Sequence, residues 1–289
     1  ELPEAHFRTC SPRFDPDFGR FADRVLRHFD SPSRNDGRPR LIPGIEVLNE
    51  PNSWTFGDVP AERLFQLTYA TAKAVEASAR AGAFSAPMRV VSGGLAPLSA
   101  LGPGESSFPA RPAWQEYLRN LDNPGGVFDI GFHSYETSKP PAGTLTVPEQ
   151  NPEDPFGRAG QFAAWQAEQI IDRIDEALEI TSRDIWVTET GASSASTWPV
   201  DIFTPEYRRE HGQQIQAEVL IRIADAIKER PRCRSMFVHR LFSNDEAEPP
   251  AEAGPSPQPG AGDYYQYGVY DSIDGAPKLA VAGLASAWA

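Results

Sequence analysis

The chain has 289 residues, of which 40% are hydrophobic and 10% aromatic, so it can bury a substantial core and does not have the composition of a disordered polymer. Its formal net charge of −13 argues against nucleic acid or an anionic membrane as a partner, because the basic surface that both require is missing. No run of about eighteen apolar residues occurs, so no membrane-spanning helix is predicted.

Helical and strand-like segments alternate along the chain. Apolar residues at three- and four-residue steps predict helices at 17–29, 161–180 and 206–230. Further helices are predicted at 61–80, which is rich in alanine, at 112–121 and at 277–288. Short apolar runs between them predict strands at 41–48, 88–94, 127–135, 184–188 and 234–242. This alternation is typical of an α/β fold in which a parallel sheet is connected by crossover helices.

Two parallel α/β architectures compete, a doubly wound open sheet and a (β/α)8 TIM barrel. No glycine-rich phosphate loop follows a predicted strand, which disfavours a nucleotide-binding open sheet. Two of the strands end in a glutamate, and the carboxyl ends of barrel strands are where that fold places its chemistry. We therefore predict a TIM-barrel type fold, with residues 1–289 forming a single domain.

The cysteines and the first residues leave several alternatives open. Cys10 and Cys233 are the only cysteines, and they form either one bridge or two separate buried thiols. No zinc or iron–sulfur spacing is present. The sequence opens with Glu1 and has neither an initiator methionine nor a signal peptide, so we expect a fragment, a processed product or an engineered form. The compartment is not indicated.

Two acids at strand ends carry the chemical interpretation. Residues 41–52 read LIPGIEVLNEPN, an apolar strand that stops at Glu50, and residues 184–191 read DIWVTETG, an apolar strand that stops at Glu189. Hydrolysis of a sugar acetal needs two such groups, one to protonate the leaving oxygen and one to attack or stabilise the anomeric carbon. Alternatively, Glu50 belongs to a turn that starts a helix, and Glu189 is a salt-bridge partner of an arginine.

The two segments together resemble the clan A glycoside hydrolases, with families 39 and 5 as the nearest likenesses. In that clan the acid/base glutamate follows an asparagine at the end of the fourth barrel strand, and the nucleophile is a glutamate at the end of the seventh. If 41–48 is the fourth strand, 184–188 falls in seventh place. The resemblance implies a retaining hydrolase of O-glycosidic bonds in an oligo- or polysaccharide, with Glu50 as acid/base and Glu189 as nucleophile. It implies no metal, nucleotide or other cofactor.

The resemblance also implies a set of residues that bind the sugar. Asn49 would bond the hydroxyl beside the anomeric carbon, and Tyr135 would donate to Glu189. Trp54 and Trp198 lie just past the two catalytic strand ends, where they either stack on a sugar ring or pack at the rim of a cleft. The complete predicted substrate-binding set is Asn49, His133, Tyr135, Trp54, Trp198, His239 and Phe242. His133 has a core position as its alternative, with one nitrogen satisfied.

The sequence departs from the clan in its number of strands. Only five of eight are predicted, which corresponds to strands 4–8 of a partial barrel, and His239 and Phe242 lie where a sugar-stacking tryptophan is frequent. A barrel open along one side exposes strand edges, so we expect a missing N-terminal segment or another chain to complete it.

Two alternative functions remain open. The first is a non-catalytic carbohydrate-binding or interaction module on a degenerate barrel. The second is a metal-dependent lyase or hydrolase, which would need more ligands than His133 and Asp245 supply. A carbohydrate substrate favours a secreted or extracytoplasmic location for the protein, and this expectation rests on the substrate class alone.

Overall fold

The computed structural model describes residues 12–30, 43–53, 59–98, 112–125, 127–135, 157–192, 205–239 and 279–288. The strands in these ranges are β1 (Gly44–Glu46), β2 (Arg89–Val91), β3 (Ile130–Ser134), β4 (Ile185–Thr190) and β5 (Cys233–Val238). The helices are α1 (Asp15–Phe29), α2 (Ala61–Arg80), α3 (Trp114–Leu121), α4 (Gly157–Ile180), α5 (Pro205–Lys228) and α6 (Leu279–Trp288). Each predicted helix and strand is present within a few residues of its predicted place.

The strands pair in parallel and in chain order. β1 and β2 are parallel, with Glu46 opposite Val91. A parallel bridge between Leu95 and Phe132 connects the continuation of β2 to β3, and β3, β4 and β5 are neighbours in that order. The mixed α/β class with parallel strands is therefore confirmed. The order of the strands that the structure describes contains no reversal, whereas a complete doubly wound sheet reverses its strand order once. Closure into a (β/α)8 barrel, complete or partial, stays a prediction.

By its internal contacts the chain separates into two compact units. The first comprises Glu1–His133, Ile174–Thr188 and Arg232–Ser235, and the second comprises Ser134–Arg173, Glu189–Pro231 and Met236–Ala289. The expectation of a single domain over 1–289 stays a prediction.

The first unit is built on helices packed by their apolar faces. α1 packs on α2 and α2 on α3, and the side chains of Leu26, Leu64 and Leu118 are fully buried there. An ion pair joins the first two helices, because Arg63 Nη1 donates to Asp15 Oδ2 at 2.7 Å. Both side chains are nearly buried, so this pair fixes how the two helices meet.

The second unit has its own apolar cluster, formed where α5 and α6 pack together. Leu220 and Ala280 are fully buried there, and Met236 and Val238 of β5 pack against them. The amide of Gln216 on α5 donates to the backbone oxygen of Ala192 at 2.8 Å, which connects this helix to the chain that follows β4. The helix and the end of the strand are thus held together by both apolar and polar contacts.

Both alternatives for the two cysteines stay predictions. Cys233 begins β5 and is buried, whereas Cys10 lies outside the described residues.

Among the helices described, none combines the length and the apolar character needed to cross a membrane.

Candidate functional site

The main chain turns sharply at Glu50. Asn49 forms a parallel bridge with Gly94, which extends the pairing of β1 beyond the strand proper. At Glu50 the φ angle is +38°, and the amide of Ser53 closes a turn by donating to the Glu50 oxygen at 2.8 Å. A side-chain-bearing residue in the left-handed region is strained, by about 1–3 kcal/mol, and such residues concentrate at functional sites. The turn therefore marks Glu50 independently of its sequence motif.

Asn52 and Gly93 fasten this turn to the neighbouring chain. Asn52 is 1% exposed, its Nδ2 donates to the Ala96 oxygen at 2.7 Å, and its Oδ1 accepts from the Ala96 amide at 3.0 Å. Gly93 lies so close to the turn that a Cβ there would come within 2.8 Å of Pro51 Cδ. A buried amide with both ends bonded and a glycine at close approach hold the turn in one conformation.

The Glu50 side chain contacts a buried histidine. Its Oε1 lies 3.1 Å from His133 Nδ1, and the Glu50 side chain retains 21% exposure while that of His133 has 1%. His133 comes from β3, and its backbone amide donates to the Leu95 oxygen at 3.0 Å. The predicted acid and the predicted site histidine are therefore in contact, with the carboxyl group open to solvent and the imidazole enclosed.

Glu46 completes this group, and sequence reasoning missed it. Glu46 Oε1 accepts a hydrogen bond from the Thr188 hydroxyl at 2.9 Å and lies 3.8 Å from His133 Nε2. We call Glu46, Glu50, His133 and Thr188 the Glu50 cluster, and all four residues belong to the first unit. A carboxylate inside an apolar strand, between Ile45 and Val47, was the signal that could have identified Glu46.

Two glycines make room for the Glu50 cluster. A Cβ at Gly94 would lie 2.1 Å from His133 Nε2 and 2.5 Å from Glu46 Oε1. A Cβ at Gly131 would lie 2.8 Å from the same carboxylate oxygen. Glycine within or beside a strand often marks a close approach of this kind, so both positions also carried a sequence signal.

Glu189 is surrounded by a second set of side chains. The Tyr135 hydroxyl donates to Glu189 Oε1 at 2.5 Å, and His239 Nδ1 lies 3.4 Å from the same oxygen. The rings of Tyr135 and His239 meet edge to face, with 6.4 Å between their centroids. We call these three residues the Glu189 cluster, and all belong to the second unit. The expected contact between Tyr135 and Glu189 is present.

Backbone contacts position the strand ends that carry the Glu189 cluster. The Thr190 hydroxyl donates to the Ser134 oxygen at 2.7 Å, and the His239 amide donates to the Thr190 oxygen at 2.7 Å. The Ser134 hydroxyl in turn donates to the Ile170 oxygen of α4 at 2.9 Å. Residues next to all three cluster members are thus tied together, which limits how far their side chains can move.

The remaining predicted site residues have different outcomes. Asn49 is exposed beside Glu50. His239 Nδ1 lies 3.4 Å from Glu189 Oε1, and its predicted contact with the substrate stays a prediction. The predicted residues Trp54, Trp198 and Phe242 lie outside the described residues.

Chemically, each cluster presents a partly exposed carboxyl group with one oxygen engaged by a neighbouring side chain. Such a group is suited to proton transfer or to nucleophilic attack. Carboxylate and imidazole are also metal ligands, so a chelator control belongs to any test of activity.

Comparison with known proteins gives similarity at the level of solved structures alone. No protein-family model matches the chain, and no curated protein matches it. A GH128 (subgroup II) endo-beta-1,3-glucanase from Sorangium cellulosum aligns at 18% identity and TM-score 0.47, over 86% of this chain and 71% of that one. A glucosidase from Croceicoccus marinus aligns at 14% identity and TM-score 0.47, over 93% and 45%. The endo-1,4-beta-xylanase XylE from Penicillium canescens aligns at 16% identity and TM-score 0.39, over 93% and 67%.

These similar structures are all described as glycosidases.

Proposed function

We propose that the protein is a retaining glycoside hydrolase that cleaves O-glycosidic bonds of an oligo- or polysaccharide, with Glu50 as acid/base and Glu189 as nucleophile. One observation carries the proposal. Each glutamate lies at or just beyond the carboxyl end of a parallel strand, with one carboxyl oxygen engaged by a neighbouring side chain. Paired carboxyl groups at strand ends are what this reaction uses in a parallel α/β fold.

The first half of the reaction uses both acids at once. The Glu189 carboxylate attacks the anomeric carbon, the bond from that carbon to the leaving oxygen breaks, and Glu50 gives its proton to the leaving oxygen. The Tyr135 hydroxyl donates to Glu189 Oε1 at 2.5 Å, which orients the carboxylate that attacks. Direct attack in a retaining enzyme requires the two carboxyl groups to be about 5–5.5 Å apart.

The second half returns both groups to their starting states. Glu50, now a carboxylate, takes a proton from water, and the resulting hydroxide attacks the anomeric carbon as Glu189 leaves. Asn49 is assigned to the sugar hydroxyl beside the anomeric carbon, a contact that strengthens in the transition state. His239, in contact with Glu189, is assigned to holding the nucleophile.

Chemical rescue tests the role of Glu189. The Glu189→Ala variant is expected to lose hydrolysis of aryl glycosides, and added azide should restore turnover and yield the glycosyl azide of inverted configuration. A panel of dinitrophenyl glycosides of glucose, xylose, mannose and galactose covers the common sugars. The exposed Glu62→Gln is the matched control, and a chelator should leave its activity unchanged. Full activity of Glu189→Ala would exclude the assignment.

The role of Glu50 is tested by the leaving group. Glu50→Ala should slow substrates with poor leaving groups by about 10²–10⁴-fold, the usual contribution of general acid–base catalysis, and activated aryl glycosides far less. An equal loss on both kinds of substrate would count against Glu50 as the acid. Calorimetric titration with oligosaccharides in parallel tests the alternative, since binding without any turnover would identify a carbohydrate-binding module.

A further inference from the structure

We propose that Glu46 is a positioning residue that acts through His133 on the acid/base Glu50. The inference rests on the proposed function, because it gives Glu46 a part in the acid step of that reaction. Glu46 itself is assigned no contact with substrate. Its effect passes along two contacts, from Glu46 to the imidazole and from the imidazole to Glu50.

The imidazole of His133 lies between two carboxyl groups. Its Nδ1 is 3.1 Å from Glu50 Oε1, and its Nε2 is 3.8 Å from Glu46 Oε1. The ring is 1% exposed, so bulk water does not compete for either nitrogen. The orientation of an enclosed imidazole depends on the groups next to its two nitrogens. The partner of one nitrogen also governs whether the other nitrogen carries a proton. We infer that the Glu46 carboxylate, on the Nε2 side of the ring, favours the orientation in which Nδ1 faces Glu50.

Glu46 is itself fixed in place. The Thr188 hydroxyl donates to its Oε1 at 2.9 Å, so the carboxylate is anchored from β4 as well as by its own strand. The space around this oxygen is closed by the backbone at Gly94 and Gly131, where an added Cβ would lie 2.5 Å and 2.8 Å from it. The two glycines and the Thr188 hydroxyl therefore keep the Glu46 carboxylate next to His133.

The consequence falls on the proton transfer from Glu50. The contact of Oε1 with His133 Nδ1 restricts rotation of the Glu50 carboxyl group, and we assign the transferred proton to Oε2. The leaving oxygen takes this proton in the first half-reaction and water returns it in the second, so the protons of His133 are not consumed. If Glu46 no longer orients the ring, the carboxyl plane of Glu50 is less well defined and protonation of the leaving oxygen becomes less efficient.

Leaving-group dependence distinguishes this role from a purely structural one. Glu46→Gln keeps the size of the side chain and an acceptor for Thr188 but removes the negative charge. We expect it to lower kcat/KM on methyl glycosides on the order of tenfold or more, a part of what the acid contributes in full. The loss on dinitrophenyl glycosides of the same sugar should be much smaller, because that leaving group departs without protonation. The exposed Glu62→Gln should change neither value.

A second measurement follows the imidazole directly. The ¹⁵N chemical shifts of His133 report which ring nitrogens carry protons, and they should change in Glu46→Gln relative to the unsubstituted protein. Glu46→Ala is measured alongside Glu46→Gln, and thermal unfolding is recorded for both variants. If Glu46→Ala fails to fold, Glu46→Gln decides.

The possible outcomes separate the two levels of inference. An equal loss on both substrates, or unchanged shifts of His133, would overturn the positioning role of Glu46. If Glu50→Ala itself shows no dependence on the leaving group, the proposed function fails instead, and it does so independently of Glu46.

Discussion

The two glutamates are held in place by different means. Glu50 lies on a left-handed backbone, next to a histidine that is 1% exposed and among glycines that leave no room for a side chain. Glu189 is part of a strand, and its partners are side chains, of which His239 is 33% exposed. The comparison indicates that the main chain and the packing position the proposed acid, whereas side-chain donors position the proposed nucleophile. Substitutions that add volume should therefore disturb the position of Glu50, whereas the loss of a single donor atom should disturb the position of Glu189.

The largest effect is expected from Gly94→Ala. Its Cβ would lie 2.1 Å from His133 Nε2, and neither the backbone nor the enclosed ring can move away freely. Overpacking of this kind typically costs about 1–3 kcal/mol of the free energy of unfolding, and we expect the upper end. Urea unfolding measures that cost, and the activity on methyl glycosides should fall with it. The matched control is Gly160→Ala, where an added Cβ meets open space, and which should not destabilise the protein.

Removal of one oxygen from the Glu189 cluster should come next. Tyr135→Phe deletes the hydroxyl that donates to Glu189, and a hydrogen bond to a charged group is worth about 1.5–3 kcal/mol. If all of it acts in the transition state, kcat falls roughly 10–100-fold on both kinds of leaving group. Tyr69→Phe, at a partly exposed position of α2 outside both clusters, is the control. A loss confined to poor leaving groups would show that Tyr135 serves the acid instead.

Asn52→Ala tests whether the backbone turn is what holds Glu50. It removes both hydrogen bonds to Ala96 and leaves a buried amide and carbonyl without these partners. We expect a loss of roughly 1–2 kcal/mol in the free energy of unfolding. A change in leaving-group dependence like that of Glu50→Ala, but smaller, should accompany it. Asn120→Ala on the exposed face of α3 should leave both quantities unchanged.

The smallest effect is expected outside both clusters, at Asp129. Burial raises the pKa of this carboxyl group, against the hydrogen bond donated by Trp186 Nε1 at 3.0 Å. The folded state therefore keeps the Asp129 proton to higher pH than the unfolded state does. The protein consequently becomes less stable through this group as the pH rises above 3.8, the ordinary pKa of an aspartate. Asp129→Asn should gain stability relative to the unsubstituted protein between acidic and neutral pH, as measured by Tm. Exposed Asp172→Asn is the comparison for the loss of one charge. A gain toward acidic pH would contradict the sign.

The sequence predicted the long helices well where apolar residues keep one period over many positions, as in α1, where the predicted 17–29 and the observed Asp15–Phe29 agree. Glu50 and Glu189 were prominent for a similar reason, since each ends an apolar run. Glu46 was missed because a lone acid within a strand has no local partner, and its contacts come from residues 87 and 142 positions away. The placement of His239 against Glu189 likewise depends on the pairing of strands.

The left-handed backbone at Glu50 has a consequence for directed evolution. Glycine adopts that conformation without a steric penalty, and asparagine tolerates it better than glutamate does. A selection for heat resistance alone should therefore enrich glycine or asparagine at position 50, and the most robust clones should also be the inert ones. Libraries designed to raise the thermal stability of this protein should therefore keep the codon for Glu50 constant.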